Sequence, residues 1–116
     1  MTIADVQRIL KADLVSPNVC VDTEVHNACG SDMMSDVLAC VTEDTLLLTG
    51  LVNGQCVRTC EMLDVPCVVF VRSKEPLADA LALAREIDLP MLKTPYTMFE
   101  ACARLYTAGL RPVELG

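Results

Sequence analysis

Two short stretches of the chain are apolar at every position, and they predict the centre of a β-sheet. They are residues 46–48 and 67–71, and neither shows the alternation of a strand with one face in water. A strand that is covered on both faces carries this uninterrupted pattern, which is typical of parallel sheets flanked by helices. Less uniform segments predict further strands at 19–21, 25–29 and 91–93.

Between the strands, apolar residues recur at helical spacing and predict helices at 2–13, 32–41, 53–63, 76–87 and 96–108. Thr2 and Ser31 are the expected N-caps, Pro76 suits a first helical position, and Gly109 ends the last helix. The second and last helices are expected to bury the apolar residues Met33, Met34, Val37, Leu38 and Val41, and Met98, Phe99, Cys102, Leu105 and Tyr106.

The alternation of strand and helix along the chain defines the expected fold. Parallel neighbours need a crossover connection, usually a helix, so the alternation predicts a three-layer α/β/α fold with a small, mostly parallel sheet. A length of 116 residues suits one domain over residues 1–116. We expect an N-terminal helix at 2–13, a core at 18–108 and a short, loose C-terminal tail at 109–116.

Charge and apolar content exclude several classes of function. Sixteen acidic residues against nine basic ones give a net charge of −7, and no basic run is present, so nucleic-acid binding is not expected. The longest apolar run, 65–71, contains Pro66 and is far shorter than the roughly 20 residues of a membrane-spanning helix. The first residues lack the basic and then apolar order of a signal peptide, so a cytoplasmic location is expected.

The chain contains seven cysteines, an odd number that cannot form a complete set of disulfides. Six have apolar or small neighbours, and we interpret them as small core residues of a protein from a reducing compartment. A metal or iron–sulfur site is the alternative, but paired Cys-x-x-Cys units are missing from the sequence. The closest approach is Cys56 with Cys60, and His26 could join Cys29 on a metal. No metal and no cofactor are predicted.

Small, polar and cationic residues follow the predicted strands and form the candidate site. In a parallel sheet every strand-to-helix loop emerges at the same edge, where the free N–H groups of helix N-termini favour an anion. Arg72 and Lys74 add positive charge there. The predicted ligand-binding residues are Gly30, Ser31, Asp32, Thr49, Gly50, Asn53, Arg72, Ser73, Lys74 and Thr94. The alternative is that these residue types are present only because turns and caps require them.

The motifs of common catalytic sites are missing from the sequence. It has no Gly-x-x-x-x-Gly-Lys-Ser/Thr loop for ATP chemistry and no Gly-x-Gly-x-x-Gly for a dinucleotide. The single histidine, His26, has no Gly-x-Ser-x-Gly elbow to accompany it, which argues against a serine triad. Asp32 and Asp36 lie beside a predicted helix start, where support of the helix dipole explains them better than metal binding. No enzymatic activity is predicted.

Three runs of the sequence resemble, in order and spacing, the DRTGG-domain family. They are GSDMMSDVL at 30–38, LLLTG at 46–50 and VFVRSKEP at 69–76, and the resemblance extends over residues 18–108. It is strongest to short stand-alone members, and the chain is also similar to the amino-terminal domain of the HPr serine kinase and phosphorylase. The resemblance implies an α/β domain, usually homodimeric, found as a regulatory module of phosphotransacetylases and of pyrophosphatases with CBS domains. Kinase activity is not implied, because the chain lacks the P-loop.

Two hypotheses about function follow. The first is a non-catalytic, homodimeric ligand-sensing module that binds a nucleotide or phosphorylated metabolite, with backbone amides and Arg72 holding the phosphate. The second is an interaction protein or assembly accessory, in which Met33, Met34, Met62 and cysteine-rich surfaces contact a partner enzyme or help to handle a metal cluster. A homodimer is expected in addition because a small sheet with an apolar edge often completes its burial with a second copy.

Overall fold

The computed structural model describes residues 1–16 and 19–114, and a β-sheet of six strands lies at its centre. The strands are β1 (Asp13–Leu14), β2 (Asn27–Gly30), β3 (Thr45–Thr49), β4 (Cys67–Phe70), β5 (Met91–Lys93) and β6 (Arg111–Pro112). They lie in the order β1-β5-β4-β3-β2-β6. β1 runs antiparallel to β5, and the other neighbours are parallel.

Helices cover both faces of this sheet. They are α1 (Ile3–Ile9), α2 (Met34–Cys40), α3 (Gly54–Met62), α4 (Ala78–Ile87) and α5 (Met98–Thr107). α1 and α5 pack on one face, and α2, α3 and α4 pack on the other, so the predicted three-layer α/β/α fold is confirmed. Within residues 1–16 and 19–114, no helix combines the length and the apolar character needed to cross a membrane.

The protein has an apolar core on each face of the sheet, and the two central strands, β3 and β4, contribute residues to both. Leu46 and Leu48 of β3 join the core beneath α1 and α5, whereas Leu47 joins the core beneath α2, α3 and α4. All five residues of β3 and all four of β4 are buried. The uninterrupted apolar runs in the sequence therefore arise because each strand packs against helices on both sides.

The start of the chain differs from the sequence-based expectation. Thr2 caps α1 as predicted, but the helix ends at Ile9 instead of extending to residue 13. The end of the predicted helix instead contains the first residue of β1, a two-residue edge strand at Asp13–Leu14 that pairs with β5. A strand of two residues is too short to show a hydrophobic period, so the pattern gave no sign of it.

The strand predicted at 19–21 is not part of the sheet. The carbonyl oxygens of Val21 and Thr23 instead accept the N–H groups of Ala4 and Ile3, at 2.9 and 3.0 Å. These N–H groups belong to the first turn of α1, which has no intrahelical partners for them. This part of the chain therefore provides carbonyl acceptors for the first N–H groups of α1 instead of a strand.

Three other helices begin two residues later than predicted, and one of them is α5, which begins at Met98 instead of residue 96. α2 begins at Met34, and the hydroxyl of Ser31 accepts the N–H of Met33 at 3.0 Å instead of capping a helix from residue 32. Met33 is 60% exposed and Leu38 is also exposed, so the predicted buried stripe of α2 is narrower than expected. α4 begins at Ala78 and not at Pro76, because the preceding residues remain extended and the N–H of Leu77 donates to Val52 at 2.9 Å.

The C-terminal segment is more ordered than the sequence suggested. Leu110 is buried, β6 pairs with β2, and the N–H of Val113 donates to Ala28, so residues 110–113 are attached to the sheet instead of forming the expected loose tail. Residues 115 and 116 of that predicted tail lie outside the described residues. On α5, Phe99 is 85% exposed and Tyr106 is also exposed, which contradicts the prediction that both are buried.

Four of the helices are followed by a residue in the left-handed backbone conformation. Gly109 follows α5 with a φ of 111°, which confirms it as the end of that helix. Lys11 after α1, Asp64 after α3 and Asp88 after α4 have φ values between 49° and 54°. The residue after each one is buried and donates its N–H to a carbonyl in the last turn. These residues are Ala12, Val65, Leu89 and Leu110.

Candidate functional site

The predicted site lies at the edge of the sheet where β2, β3, β4 and β5 end. Hydrogen bonds join the loop after β2 to the loop after β3, and the loop after β4 to the loop after β5. The bond from Leu77 to Val52 connects these two pairs of loops. The four loops are therefore held together along one edge, as the parallel sheet predicted.

Asp32, in the loop after β2, contacts the end of β3. Its Oδ1 accepts the N–H of Gly50 at 2.6 Å and the hydroxyl of Thr49 at 3.1 Å. The Thr49 hydroxyl also accepts the N–H of Leu51 at 3.0 Å. The Asp32 carboxylate thus closes the β3 loop over the sheet edge, while the residue itself remains exposed.

The loop after β4 contains two successive residues in the left-handed conformation. Arg72 has a φ of 56° and Ser73 a φ of 55°. The N–H of Arg72 donates to Tyr96 and that of Ser73 to Thr94, each at 2.8 Å. A non-glycine residue in this conformation costs about 1–3 kcal/mol, and such residues cluster at functional sites. The turn is therefore a strained segment that hydrogen bonds to the next loop hold in place.

This turn brings a guanidinium group to the end of β3. The Nη2 atom of Arg72 lies 3.7 Å from the point that a Cβ on Gly50 would occupy. Within the described part of the chain, neither Arg72 nor Lys74 takes part in an ion pair. Lys93 differs, because its ammonium pairs with Glu75, and that hydrogen bond raises the pKa of Lys93. Arg72 and Lys74 are thus the cations that this edge can offer to an anion.

Four backbone amides of these loops are engaged within the protein. The N–H of Gly50 is bonded to Asp32, and those of Arg72 and Ser73 are bonded to carbonyl oxygens. The N–H of Gly54, at the start of α3, donates to Asp79 at 3.0 Å. These four N–H groups therefore already have acceptors within the protein.

The other predicted site residues have structural contacts. The hydroxyl of Thr94 is buried, donates to Leu10 at 2.7 Å and accepts the N–H of Tyr96. The side chain of Asn53 accepts the N–H of Cys56 and so caps α3. A Cβ on Gly30 would lie 2.9 Å from the Met98 sulfur, so Gly30 permits close packing of α5. Each of these three residues is therefore engaged in hydrogen bonding or close packing within the fold.

No protein-family model and no curated protein matches the sequence. Among solved structures, the fold is similar to the CBS and DRTGG domains of the regulatory region of Clostridium perfringens pyrophosphatase, complexed with its activator, diadenosine tetraphosphate. The TM-score is 0.74 at 13% sequence identity, and the match covers 90% of this chain and 45% of that one. The similarity shows the fold. This chain therefore spans less than half the length of the pyrophosphatase region that it matches.

Five of the seven cysteines lie in or against the two cores, so the interpretation of six as core residues does not extend to Cys40. Cys56, Cys60 and Cys67 are buried, three others are half-buried, and Cys20 is exposed. Burial raises the pKa of the Cys67 thiol, and a hydrogen bond to Cys56 followed by burial raises that of Cys60. Among the described residues, no three His, Cys, Asp or Glu side chains are placed to hold a metal ion. The Nδ1 atom of His26 lies 3.7 Å from Oδ1 of Asp44.

A second surface feature was missed by the sequence analysis. An apolar cavity of about 390 Å³ lies between β2, β6 and α5, beside the exposed Phe99 and Tyr106. It was missed because its floor includes β6, which the pattern could not show. A signal was present in the sequence, since α5 has apolar residues at 99, 103 and 106 in addition to those that enter the core.

Proposed function

We propose that this chain is a regulatory, ligand-sensing module of DRTGG type that binds a nucleotide or another phosphorylated small molecule and catalyses no reaction. The fold supports this proposal, because the matching pyrophosphatase region is itself regulatory and is complexed with an activating nucleotide. The resemblance of the loops after β2, β3 and β4 to the DRTGG family supports it independently.

The position of Arg72 is the observation on which the proposal rests. Its guanidinium reaches the end of β3 from a strained turn, at the edge where open α/β sheets bind ligands. An exposed arginine without an ion pair can donate two parallel hydrogen bonds to a phosphate. This matters in a chain of net charge −7, which otherwise repels anions.

We assign the ligand contacts to side chains at the centre of the edge. Arg72 and Lys74 would bind the phosphate, and the exposed Ser73 and half-buried Ser31 hydroxyls lie on the loops beside them. Thr49, Asn53, Thr94 and Gly30 would act indirectly, because they fix the loops. This division follows from their burial and hydrogen bonds rather than from residue type.

A thermal-shift screen against adenine and guanine nucleotides, dinucleotides and phosphorylated metabolites tests the proposal. A ligand at 100 times its dissociation constant stabilises the folded state by about 2.7 kcal/mol, a shift of several degrees at this size. Arg72→Ala is expected to weaken binding roughly ten- to hundredfold, since hydrogen bonds to charged groups contribute about 1.5–3 kcal/mol.

Arg58→Ala provides the control, because Arg58 is an exposed arginine on α3, outside the four loops. This variant should bind like the native chain. A native protein that responds to none of the compounds, or an Arg72→Ala variant with undiminished affinity, would contradict the proposal.

We further propose a homodimer, which the family resemblance implies. The exposed Phe99 and Tyr106 beside the apolar cavity give it a candidate interface. Sedimentation should give twice the chain mass for the native protein and the chain mass for Phe99→Glu. A monomeric native protein at all accessible concentrations would contradict this part.

The second candidate function is interaction with a partner enzyme. The exposure of Met33 and Met62 favours it, since flexible methionine side chains adapt to different surfaces. Met34, in contrast, is buried and is removed from that hypothesis. A flat ligand screen with a folded protein, together with weakened binding of a candidate enzyme by Met33→Ser, would favour this function.

A further inference from the structure

The apolar cavity between β2, β6 and α5 contains one charged group. Its volume of about 390 Å³ lies within the range of roughly 300–1,000 Å³ that is typical of binding sites for small molecules. Among the described residues that line it, Arg111 is the only charged one. Tyr106 and Cys102 are the only others whose side chains can form a hydrogen bond. The cavity therefore combines a large apolar surface with a single positive charge.

Tyr106 orients the guanidinium of Arg111 at this cavity. The central guanidinium carbon lies 5.5 Å from the centre of the tyrosine ring, and Nη1 donates to the phenolic oxygen at 3.4 Å. Within residues 1–16 and 19–114, Arg111 takes part in no ion pair. A guanidinium has five N–H donors and binds a carboxylate through two parallel hydrogen bonds. The charge of the cavity is therefore complementary to an anionic group.

The apolar lining restricts what the rest of the ligand can be. A base or a sugar carries several polar groups, and each one that is buried without a hydrogen-bond partner is unfavourable. Phe99, Ala103 and Leu110 line the cavity and offer no such partners. An aliphatic chain has no polar groups and is stabilised by burial against these side chains. The lining therefore favours a hydrocarbon chain over a nucleotide.

The outer edge of β6 disfavours a peptide strand as the occupant of this side of the molecule. The N–H of Val113 donates to Ala28 of β2, so Pro112 is the residue of β6 whose backbone faces away from β2. A proline has no N–H, and prolines on edge strands oppose the addition of a further strand.

We propose that this cavity binds an aliphatic monocarboxylate of medium chain length, with the chain against α5 and the carboxylate on Arg111. The inference goes beyond the proposed function, because it requires neither Arg72 nor Lys74. A homodimer formed through Phe99 and Tyr106 would bury Arg111 beside apolar side chains. The carboxylate would then supply the counter-charge that a buried guanidinium requires, so ligand and dimer are compatible.

Isothermal titration with decanoate, hexanoate and decan-1-ol, each below its micelle-forming or solubility limit, tests the inference. The native chain should bind decanoate at least tenfold more tightly than hexanoate, because four more CH₂ groups are buried. It should bind decanoate at least tenfold more tightly than decan-1-ol, which has no charge for Arg111. Arg111→Gln should weaken decanoate binding at least tenfold and leave the affinity for decan-1-ol unchanged.

A second variant tests the location without changing a charge. Ala103 is an exposed residue of α5 that lines the cavity, so Ala103→Phe fills part of the cavity and should weaken decanoate binding at least tenfold. Thr107→Phe is its matched control, because Thr107 is exposed on the same helix but does not line the cavity. Arg85→Gln, at an exposed position of α4, is the control for Arg111→Gln. Both controls should bind decanoate like the native chain.

The outcomes are separate from those of the nucleotide screen. Arg72→Ala should keep the native affinity for decanoate, whatever its effect on nucleotides. Undiminished decanoate affinity in Arg111→Gln or in Ala103→Phe would overturn the inference. So would a native chain that binds decanoate no more tightly than decan-1-ol. A native dimer that binds no decanoate would indicate that a second copy fills the cavity, and this result too would overturn the inference.

Discussion

Single buried hydroxyl groups join elements that are far apart in the sequence. Ser16 donates to the carbonyl of Leu89 at 2.8 Å and accepts the N–H of Met91 at 2.9 Å. Thr94 bridges Leu10 and Tyr96 in the same manner. A buried hydroxyl that both donates and accepts completes the hydrogen bonding of backbone groups that have no other partner nearby.

Replacement of Ser16 by alanine should therefore destabilise the fold. Ser16→Ala leaves a buried carbonyl and a buried N–H unsatisfied, so we expect the free energy of unfolding to fall by about 1–3 kcal/mol. Urea unfolding followed by circular dichroism measures this change. Ser35→Ala on the exposed side of α2 is the control and should change stability by less than about 0.5 kcal/mol. Equal stabilities of the two variants would refute the role of Ser16.

For single residues, the sequence predicted local roles such as helix ends better than it predicted contacts between distant residues. Asn53 as a helix start and Gly109 as a helix end follow from local chemistry, which acts between residues close in the chain. The bond from Asp32 to Gly50 joins loops that only the fold brings together. The sequence therefore named both residues as part of the site, but it could not show that one occupies the amide of the other.

At the scale of elements, both the local backbone conformation and the burial of the following residue determine where a helix ends. α5 ends at a glycine, whereas α4 ends at Asp88, which has a φ of 53°. An L-residue in the left-handed conformation costs about 1–2 kcal/mol relative to the right-handed one, and an aspartate also meets the negative end of the helix dipole. Burial of Leu89, the next residue, compensates for this strain.

Introducing a glycine at one helix end and removing the glycine at the other should change the stability in opposite directions. Asp88→Gly relieves the strain and should raise the free energy of unfolding by about 0.5–1 kcal/mol. Gly109→Ala should lower it by about 1 kcal/mol, and the cause is conformational alone, because a Cβ at Gly109 meets nothing within 4 Å. Thermal and urea unfolding measure both changes.

Asp88→Asn is the control that separates strain from charge. It removes the unfavourable charge but keeps a side chain, so it should recover only part of the gain seen with glycine. A gain as large as that of Asp88→Gly would show that the helix dipole, and not backbone strain, sets the cost.

Elements with a regular buried face were predictable, and two-residue elements were not. β3, β4, β5 and α3 lie within one residue of the ranges that their apolar patterns indicate, because each buries a regular face. β1 and β6 have two residues each, which is too short for any period. Their positions depend on edges of the sheet that form only when the whole chain folds.

The whole molecule packs its sheet between two cores that contain protonated thiols. Cys56 and Cys60 belong to the core beneath α2, α3 and α4, and Cys67 belongs to the opposite core. The pKa values of the Cys60 and Cys67 thiols are raised in the folded state. In the unfolded chain both thiols ionise near their ordinary value of 9.0.

Stability should therefore decrease at alkaline pH. Below about pH 9 the thiols are protonated in both states and the stabilising effect is complete. Above it the unfolded chain loses protons that the folded chain retains, so each raised thiol lowers the free energy of unfolding by about 1.4 kcal/mol per pH unit. Urea unfolding under reducing conditions from about pH 7 to about pH 10.5 measures the slope.

Variants identify which thiol is responsible for this slope. Cys67→Ala should reduce it by the contribution of one thiol, whatever its effect on stability at neutral pH. The exposed Cys20→Ala should leave it unchanged. A slope for Cys67→Ala equal to that of the native chain would contradict the assignment of the alkaline loss to buried thiols.

The order of strands in the sheet has a consequence for synthesis on the ribosome. β5 pairs with β4, and β6 pairs with β2. Both edges of the central strands β4, β3 and β2 are therefore paired by strands that lie at residue 91 or later. A nascent chain that stops before this point has two open strand edges and lacks the helix α5 over one core. Such edges recruit other strands. Completion of residues 91–112 is therefore the step that pairs both edges of an aggregation-prone intermediate and completes the six-stranded sheet.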